Sequence, residues 1–336
     1  MNTHASTVRK RLPLAIQSVV SIALLVLLFR SLDLAALRHL YATMPLWFYL
    51  ISLAVVIGGQ ALYAWRWRQV LSASGVPITV GTAIKQYFIG VFLNNFFPST
   101  VGGDVAKVYY LGRDHGYRPI AASIVLDRLL SIGLLAVLAT AMYWIAPDLS
   151  PQFAATRLLV TAIAGFLLVG LVLAARGTGG LPQRLARFGT FAVGLAERAQ
   201  RFRHDMAGAA RRPQIVFQSA AVVTTYFFAL TAIYRIFLQI NTTAHPAYLT
   251  LLTAVTTASL LSNIPISVNG LGLREQLHAI LLAPLGVPRE AAVAISLLIF
   301  AHLLVSSLIG LLFWFRLPAD VKSQIPNPES QIPNEL

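Results

Sequence analysis

The sequence predicts an all-α integral membrane protein: six spanning helices plus two re-entrant broken-helix hairpins, arranged as an inverted repeat. Three observations predict it. Of 336 residues, 57% are hydrophobic and only 11% charged, whereas a soluble domain carries about 25% charge. The apolar residues gather into stretches long enough to cross a ~30 Å hydrocarbon core, which takes about 20 residues. Two further apolar stretches are broken by the same kinds of residue, at the same place in the order of elements. So little charge cannot cover a surface in water, which excludes soluble enzymes and nucleic-acid modules. With no cysteine in the chain, disulfides, thiolate metal sites and cysteine nucleophiles are excluded too.

The clean spans fall at about 12–30, 46–65, 119–145, 156–175, 213–240 and 291–315. The first follows Arg9, Lys10 and Arg11, and without a small-residue cleavage site it reads as a retained helix rather than a leader. Segment 80–106 carries Lys85 and then Asn94, Asn95, Pro98, Gly102, Gly103 and Asp104. Segment 247–287 is interrupted by Asn263, Pro265, Asn269, Gly270, Gly272, Arg274 and Glu275. Such backbone is tolerated at membrane depth only where protein or a wet cavity covers it.

Charge sets the direction of the spans. The chain has 26 Lys and Arg against 12 Asp and Glu, a balance of +14, with the basic residues mostly between apolar segments. Residues 176–212 hold eight arginines against Glu197 and Asp205, so this loop is expected in the cytoplasm. If 80–106 crossed the membrane, five crossings would precede the loop and place it outside; a hairpin leaves four. The second broken segment then enters from the outer side, and both termini lie in the cytoplasm, in a bacterial cytoplasmic (inner) membrane. The expected organisation is a cytoplasmic N-terminus at 1–11, a membrane domain at 12–316 and a disordered cytoplasmic tail at 317–336. Within the basic loop, Leu185, Phe188, Ala192, Leu195, Ala199, Phe202 and Met206 recur at helical spacing, which predicts an amphipathic helix lying on the anionic leaflet.

The broken segments resemble each other. One reads Asn95-x2-Pro98-Ser99-x2-Gly102-Gly103-Asp104-x2-Lys107; the other reads Asn263-x-Pro265-x-Ser267-x2-Gly270-x-Gly272-x-Arg274-Glu275. Each is followed by a proline (Pro119, Pro288), an alanine pair and a long span. Span, span, hairpin, span in 12–145 repeats in 156–315, upside down because an odd number of spans precedes the second unit. Inverted repeats with broken helices near the midplane are a recurrent plan of secondary transporters.

An ionisable side chain in a span costs at least ~2.5–3.5 kcal/mol on insertion scales. The candidates at membrane depth are Asp104, Lys107, Asp127, Arg128, Arg274 and Glu275. Asp127 and Arg128 are adjacent and point ~100° apart, so they need separate partners. Lys107 or Arg274 is expected for Asp127, and Asp104 or Glu275 for Arg128. Two readings stay open: ion pairs that lock the hairpins into the bundle, or a polar cavity in which cations take a lipid phosphate and carboxylates take a cationic headgroup. With Asn95, Ser99, Asn263 and Ser267, the glycines Gly102, Gly103, Gly270 and Gly272 complete the candidate substrate contacts, by close backbone approach and free helix-start amides. Without metal-ligand spacing or a nucleophile beside a base, neither a catalytic residue nor a metal or other cofactor is expected. His278 and His302 read as hydrogen-bonded helix residues, Arg235 as snorkelling to the interface, and Trp65 and Trp67, interleaved with Arg66 and Arg68, as an interfacial anchor.

The motif from Asn94 to Asp104, the Asp127-Arg128 pair and the run Gly270-Leu271-Gly272-Leu273-Arg274-Glu275 together resemble a known family. It is the flippase-like membrane domain of bacterial lysylphosphatidylglycerol synthases, with its stand-alone relatives (the lysylphosphatidylglycerol synthase transmembrane region). The resemblance covers about 12–316 and implies movement of an aminoacylated lipid between leaflets; stand-alone relatives are associated with other lipids, including polyprenyl-phosphate-linked sugars. The family usually has Glu-Arg where this chain has Asp127-Arg128. The chain stops about 20 residues after its last span, so the soluble synthase domain is expected to be absent and no enzyme activity is expected. The expected partners are membrane lipids: an anionic or aminoacylated phospholipid, or a polyprenyl-phosphate-linked lipid. The alternative is a non-transporting subunit that binds a lipid-linked intermediate and docks a synthase or glycosyltransferase. Nucleic acid is not expected, and homo-oligomerisation stays open.

Overall fold

The computed structural model describes residues 19–28, 30, 32–96, 102–146, 153–176, 212–264 and 266–316. Among them the chain is all helix and turn. The elements are α1 (Val19–Leu28), α2 (Leu34–Ala42), α3 (Leu46–Ala73), α4 (Val80–Phe96), α5 (Gly102–His115), α6 (Tyr117–Ile145), α7 (Ala154–Arg176), α8 (Pro213–Asn241), α9 (Tyr248–Leu261), α10 (Leu273–Leu282) and α11 (Arg289–Phe315).

Four helices, α3, α6, α8 and α11, are long and apolar enough to cross a membrane; at 27 to 29 residues each they measure ~40 Å. α7 follows its expected span closely and is apolar over Ala154–Gly170, and α1 is described only in part. The basic loop with its expected amphipathic helix, both termini, Pro98, Ser99 and Pro265 lie outside the described residues.

Where the sequence is broken the helices are broken. α4 ends at Phe96 and α5 begins at Gly102, and the two pack side by side. Asn94 Oδ1 accepts from the Gly103 amide at 2.8 Å, and a Cβ on Gly103 would stand 1.9 Å from the Gly90 carbonyl oxygen. With Lys107 reaching back to Tyr87 and Gly90, these contacts run antiparallel: α4 and α5 form a helical hairpin. α9 likewise packs on α10 across a short 3-10 turn at Val268–Gly270. α9 is apolar on every side and buried on every side, as a helix without a polar face must be. Each hairpin joins the next long helix through a glycine in the left-handed region, Gly116 (φ 85°) before α6 and Gly286 (φ 77°) before α11.

The neighbours of each helix follow a rule. Exchange α3 with α8, α4 with α9, α5 with α10 and α6 with α11, and the principal contacts map onto one another. The broad packing of α4 on α11 becomes that of α9 on α6; α5 on α6 becomes α10 on α11; α3 on α11 becomes α8 on α6. α3 and α8 cross each other directly, with Tyr226 against Gly59.

One element, α2, has no counterpart among the expected spans. Asp33 caps it, its Oδ1 accepting from the Ala35 and Ala36 amides at 2.8 and 3.2 Å. The Tyr41 hydroxyl then donates to the Ala294 carbonyl (2.8 Å) and Thr43 bonds Asn241, tying α2 to α11 and α8.

Candidate functional site

The two hairpin tips meet. The Asn269 amide donates to the Asn94 carbonyl at 2.8 Å and to Asn95 Oδ1 at 3.3 Å. Asn269 does so from φ 51°, ψ 27°, a left-handed conformation that asparagine tolerates better than most residues, and Gly270 and Gly272 follow at φ 73° and 80°. Position for position, Asn95 and Asn263 were expected to correspond; the contact is made instead by Asn269, six residues further on. Asn263 is exposed, and its amide bonds its own helix at Ser259 O.

Beside the tips lies a cavity of about 380 Å³, enclosed by α3, α4, α6, α8, α9, α10 and α11, where the exchangeable halves meet. Its polar lining is rich in hydrogen-bond donors: the phenols of Tyr63, Tyr87, Tyr226 and Tyr234, with Asn263 and Asn269. Arg274 is the one charged residue among the described residues that line it. The guanidinium is held from behind: Nη2 bonds Glu275 Oε1 at 2.7 Å, and Phe300 lies under it at 4.5 Å. Glu275, fully buried, spends its other oxygen on the Gly272 amide (2.7 Å), capping α10. His278 Nδ1 meets the Arg274 carbonyl at 2.8 Å, so Nδ1 carries the proton and Nε2 accepts from the Tyr234 hydroxyl at 3.0 Å.

A second cluster sits one layer back, around α5. Asp104, an acid in the first turn of α5, takes Lys107 on Oδ1 (3.2 Å) and Arg128 Nε on Oδ2 (2.6 Å). The expected Arg128–Asp104 pair therefore forms. The expected partner of Asp127 does not: neither Lys107 nor Arg274 pairs with it, and Arg66 of α3 does, at 2.8 Å. Arg66 and Trp67 are each 1% exposed, so they are not the interfacial anchor that their spacing suggests. The reason is helix length. α3 continues past residue 65 to Ala73, so Arg66 sits two turns inside the helix, with its guanidinium over the Tyr63 ring at 4.8 Å. Lys107 is likewise stacked, 4.6 Å from the Tyr87 ring centre and 5.3 Å from that of Trp67. Tyr63 and Tyr87 line the cavity, so one ring separates each of these cations from it.

The candidate residues thus divide. Arg274 and Asn263 line the cavity, Asn95 stands at the tip contact, and Asp104, Lys107, Asp127 and Arg128 form the charged cluster. Gly103 serves the α4–α5 approach, and Gly272 the close passage of α10 against Ser21 and Leu24 of α1. Gly102 opens α5 and Gly270 ends the 3-10 turn. Ser267 is 2% exposed, and among the described residues neither its hydroxyl nor the Asn95 amide nitrogen has a partner. The helix-start amides expected to be free are occupied: Gly103 N by Asn94, and Gly272 N by Glu275. The candidate acids are occupied too, each on a cation of the protein itself, and none is among the described residues that line the cavity. His278 is hydrogen-bonded as expected; His302 Nδ1 is buried without a partner among the described residues. Arg66 and the cavity tyrosines were missed by sequence reasoning. Arg66 left one signal: no breaker follows Trp65 until Ser74-Gly75.

The model of the lysylphosphatidylglycerol synthase TM region matches residues 14–310. The chain belongs to this family. Over 89 residues, 25% of the chain, it is also 27% identical to a UPF0104 membrane protein of Pyrococcus horikoshii, a match that spans 27% of that protein's length. Family and architecture agree on an all-α membrane protein, and the family is consistent with a lipid-related membrane function.

Proposed function

We propose that the protein moves a lipid with an anionic headgroup between the leaflets of a bacterial cytoplasmic membrane, as a flippase built from two inverted halves. In this reading α1 and α7 complete six spans, the α4–α5 hairpin enters from the cytoplasm and the α9–α10 hairpin from outside. Rocking one half against the other opens the central cavity to each leaflet in turn. The observation that carries the proposal is the meeting of the two tips at a donor-rich cavity between the halves. Arg274, with Nε and Nη2 on Glu275, offers the Nη1 side of its guanidinium, and the phenols of Tyr63, Tyr87 and Tyr226 offer neutral donors, to a phosphate-like group. With the acids already engaged, the cavity suits an anion better than the cationic part of a headgroup. A cavity of about 380 Å³ falls within the ~300–1,000 Å³ of small-molecule sites.

The test is leaflet exchange of fluorescent phosphatidylglycerol, or of a polyprenyl-phosphate lipid, in liposomes holding the purified protein. Exchange above that of protein-free liposomes is expected; its absence for every anionic or aminoacylated lipid tried removes the proposal. Arg274→Ala, made together with Glu275→Gln so that no buried carboxylate is stranded, loses a charged hydrogen bond to the headgroup, ~1.5–3 kcal/mol, and should slow exchange roughly ten- to a hundredfold. Arg128→Ala leaves Lys107 holding Asp104 and should slow it less.

A further inference from the structure

A second hollow of about 480 Å³ opens between α6, α7 and the end of α9. Ala162, Ile163 and Phe166 of α7 and Leu260 of α9 make its walls, which among the described residues are apolar except for one amide. That amide is Asn263, and with Ile132 it also lines the polar cavity. The two hollows therefore share a threshold: Ile132 and Asn263 face donors and phenols on one side and hydrocarbon on the other.

We propose that this groove seats one hydrocarbon chain of the lipid whose anionic headgroup occupies the polar cavity, the molecule straddling Ile132 and Asn263. The inference rests on the headgroup reading above and adds where the tail goes and how the lipid enters, sideways between α6 and α9. Energetics favour such a path. Taking a chain out of hydrocarbon into a wet cavity exposes apolar surface to water and is costly at every methylene. Sliding it from bilayer into an apolar groove costs almost nothing, because lipid tails are as apolar as leucine. The groove thus adds position rather than affinity: it keeps the tail dry while the headgroup reaches Arg274. Phe166, 79% exposed, extends the groove outward to where the bilayer lies.

The test uses the full chain in phosphatidylglycerol nanodiscs and liposomes doped with phosphatidylglycerol carrying a diazirine near the end of one acyl chain. After photolysis, adducts are mapped by mass spectrometry, with Phe217 of α8, 76% exposed, as the reference for bulk lipid. Adducts on Ile132 and on Leu260, which is 3% exposed, are expected alongside those on Phe217. Ala162→Trp fills the groove from an exposed position and should lower the Ile132 and Leu260 adducts at least about tenfold, equivalent to ~1.4 kcal/mol, leaving Phe217 unchanged. Ala162→Gln, polar without the bulk, should lower them in the same direction. Labelling of Phe217 and Phe166 without Ile132 or Leu260, or adducts indifferent to both substitutions, overturns the inference. Leaflet exchange by the parent protein separates the two proposals. Groove adducts without exchange keep the lipid seat and remove transport, whereas exchange without groove adducts does the reverse.

Discussion

Arg66 and Asp127 show what a buried charge pair demands. Each is held inside the helix bundle, and removing one partner strands the other in a medium that solvates it poorly. Asp127→Asn is expected to destabilise the protein by about 3–5 kcal/mol, read as a lower unfolding temperature in detergent. Replacing both, as Arg66→Met with Asp127→Leu, should restore much of the loss, because breaking a pair costs more than exchanging it for apolar packing. At the tips, Asn269 combines a left-handed backbone with a bridging amide, and two substitutions separate these roles. Asn269→Gly keeps the backbone free and removes the bridge to Asn94 and Asn95; Asn269→Ala removes the bridge and adds strain. The alanine variant should be the less stable by about 1 kcal/mol, while both should alter leaflet exchange. An unaltered rate in both variants would exclude the bridge as part of a gate. Residue chemistry was only partly legible in the sequence. Ionisable types in apolar surroundings located Asp104, Lys107, Asp127, Arg128, Arg274 and Glu275, yet partner choice depends on which helices touch. Asp127 went to Arg66, 61 residues away, through an α3–α6 contact that no spacing rule reveals.

Among the helices, legibility was far higher. Apolar runs of spanning length gave α3, α6, α8 and α11 to within a few residues, except that α3 continued eight residues beyond its expected end. The clustered Asn, Pro and Gly gave both helix breaks, because proline lacks a donor and glycine alone enters tight approaches cheaply. α2 escaped notice: nine residues with mixed polarity form no span, and its hold comes from hydroxyls such as Tyr41 reaching distant carbonyls. The α4–α5 hairpin makes its own prediction. A side chain at Gly103 would stand 1.9 Å from the Gly90 carbonyl, a backbone atom that cannot step aside. Gly103→Val should therefore cost at least the ~1–3 kcal/mol of overpacking, seen as lost monodispersity on size exclusion. Gly58→Ala, which meets nothing within 4 Å on α3, serves as the control and should behave as the parent.

For the molecule as a whole, the exchange rule among helix neighbours fits a repeated order of elements such as the duplicated motif suggests, while the opposite orientation of the two units remains part of the proposed function. The sequence did not foreshadow the central cavity, since the tyrosines that line it come from α3, α4 and α8 and look like ordinary interior aromatics along the chain. Because the natural chain contains no cysteine, single cysteines can report on arrangement without background. Cysteines at positions 95 and 269 should be joined by a short bifunctional thiol reagent, and joining them should arrest exchange until the link is cleaved. A cysteine at position 198 should react from the cytoplasmic side alone; periplasmic labelling there would invert the proposed orientation. The two halves match in geometry but not in electrical content. Around the tips, the first holds Arg66, Asp104, Lys107, Asp127 and Arg128 in a ladder with one surplus positive charge, whereas the second holds the self-cancelling Arg274 and Glu275, with Arg235 set apart toward the end of α8 beside Tyr248. In the flippase reading proposed above, a transmembrane voltage, which delivers ~2.3 kcal/mol per elementary charge carried through 100 mV, would pull harder on the half with the surplus charge and so give a mechanically even-handed scaffold a preferred resting side.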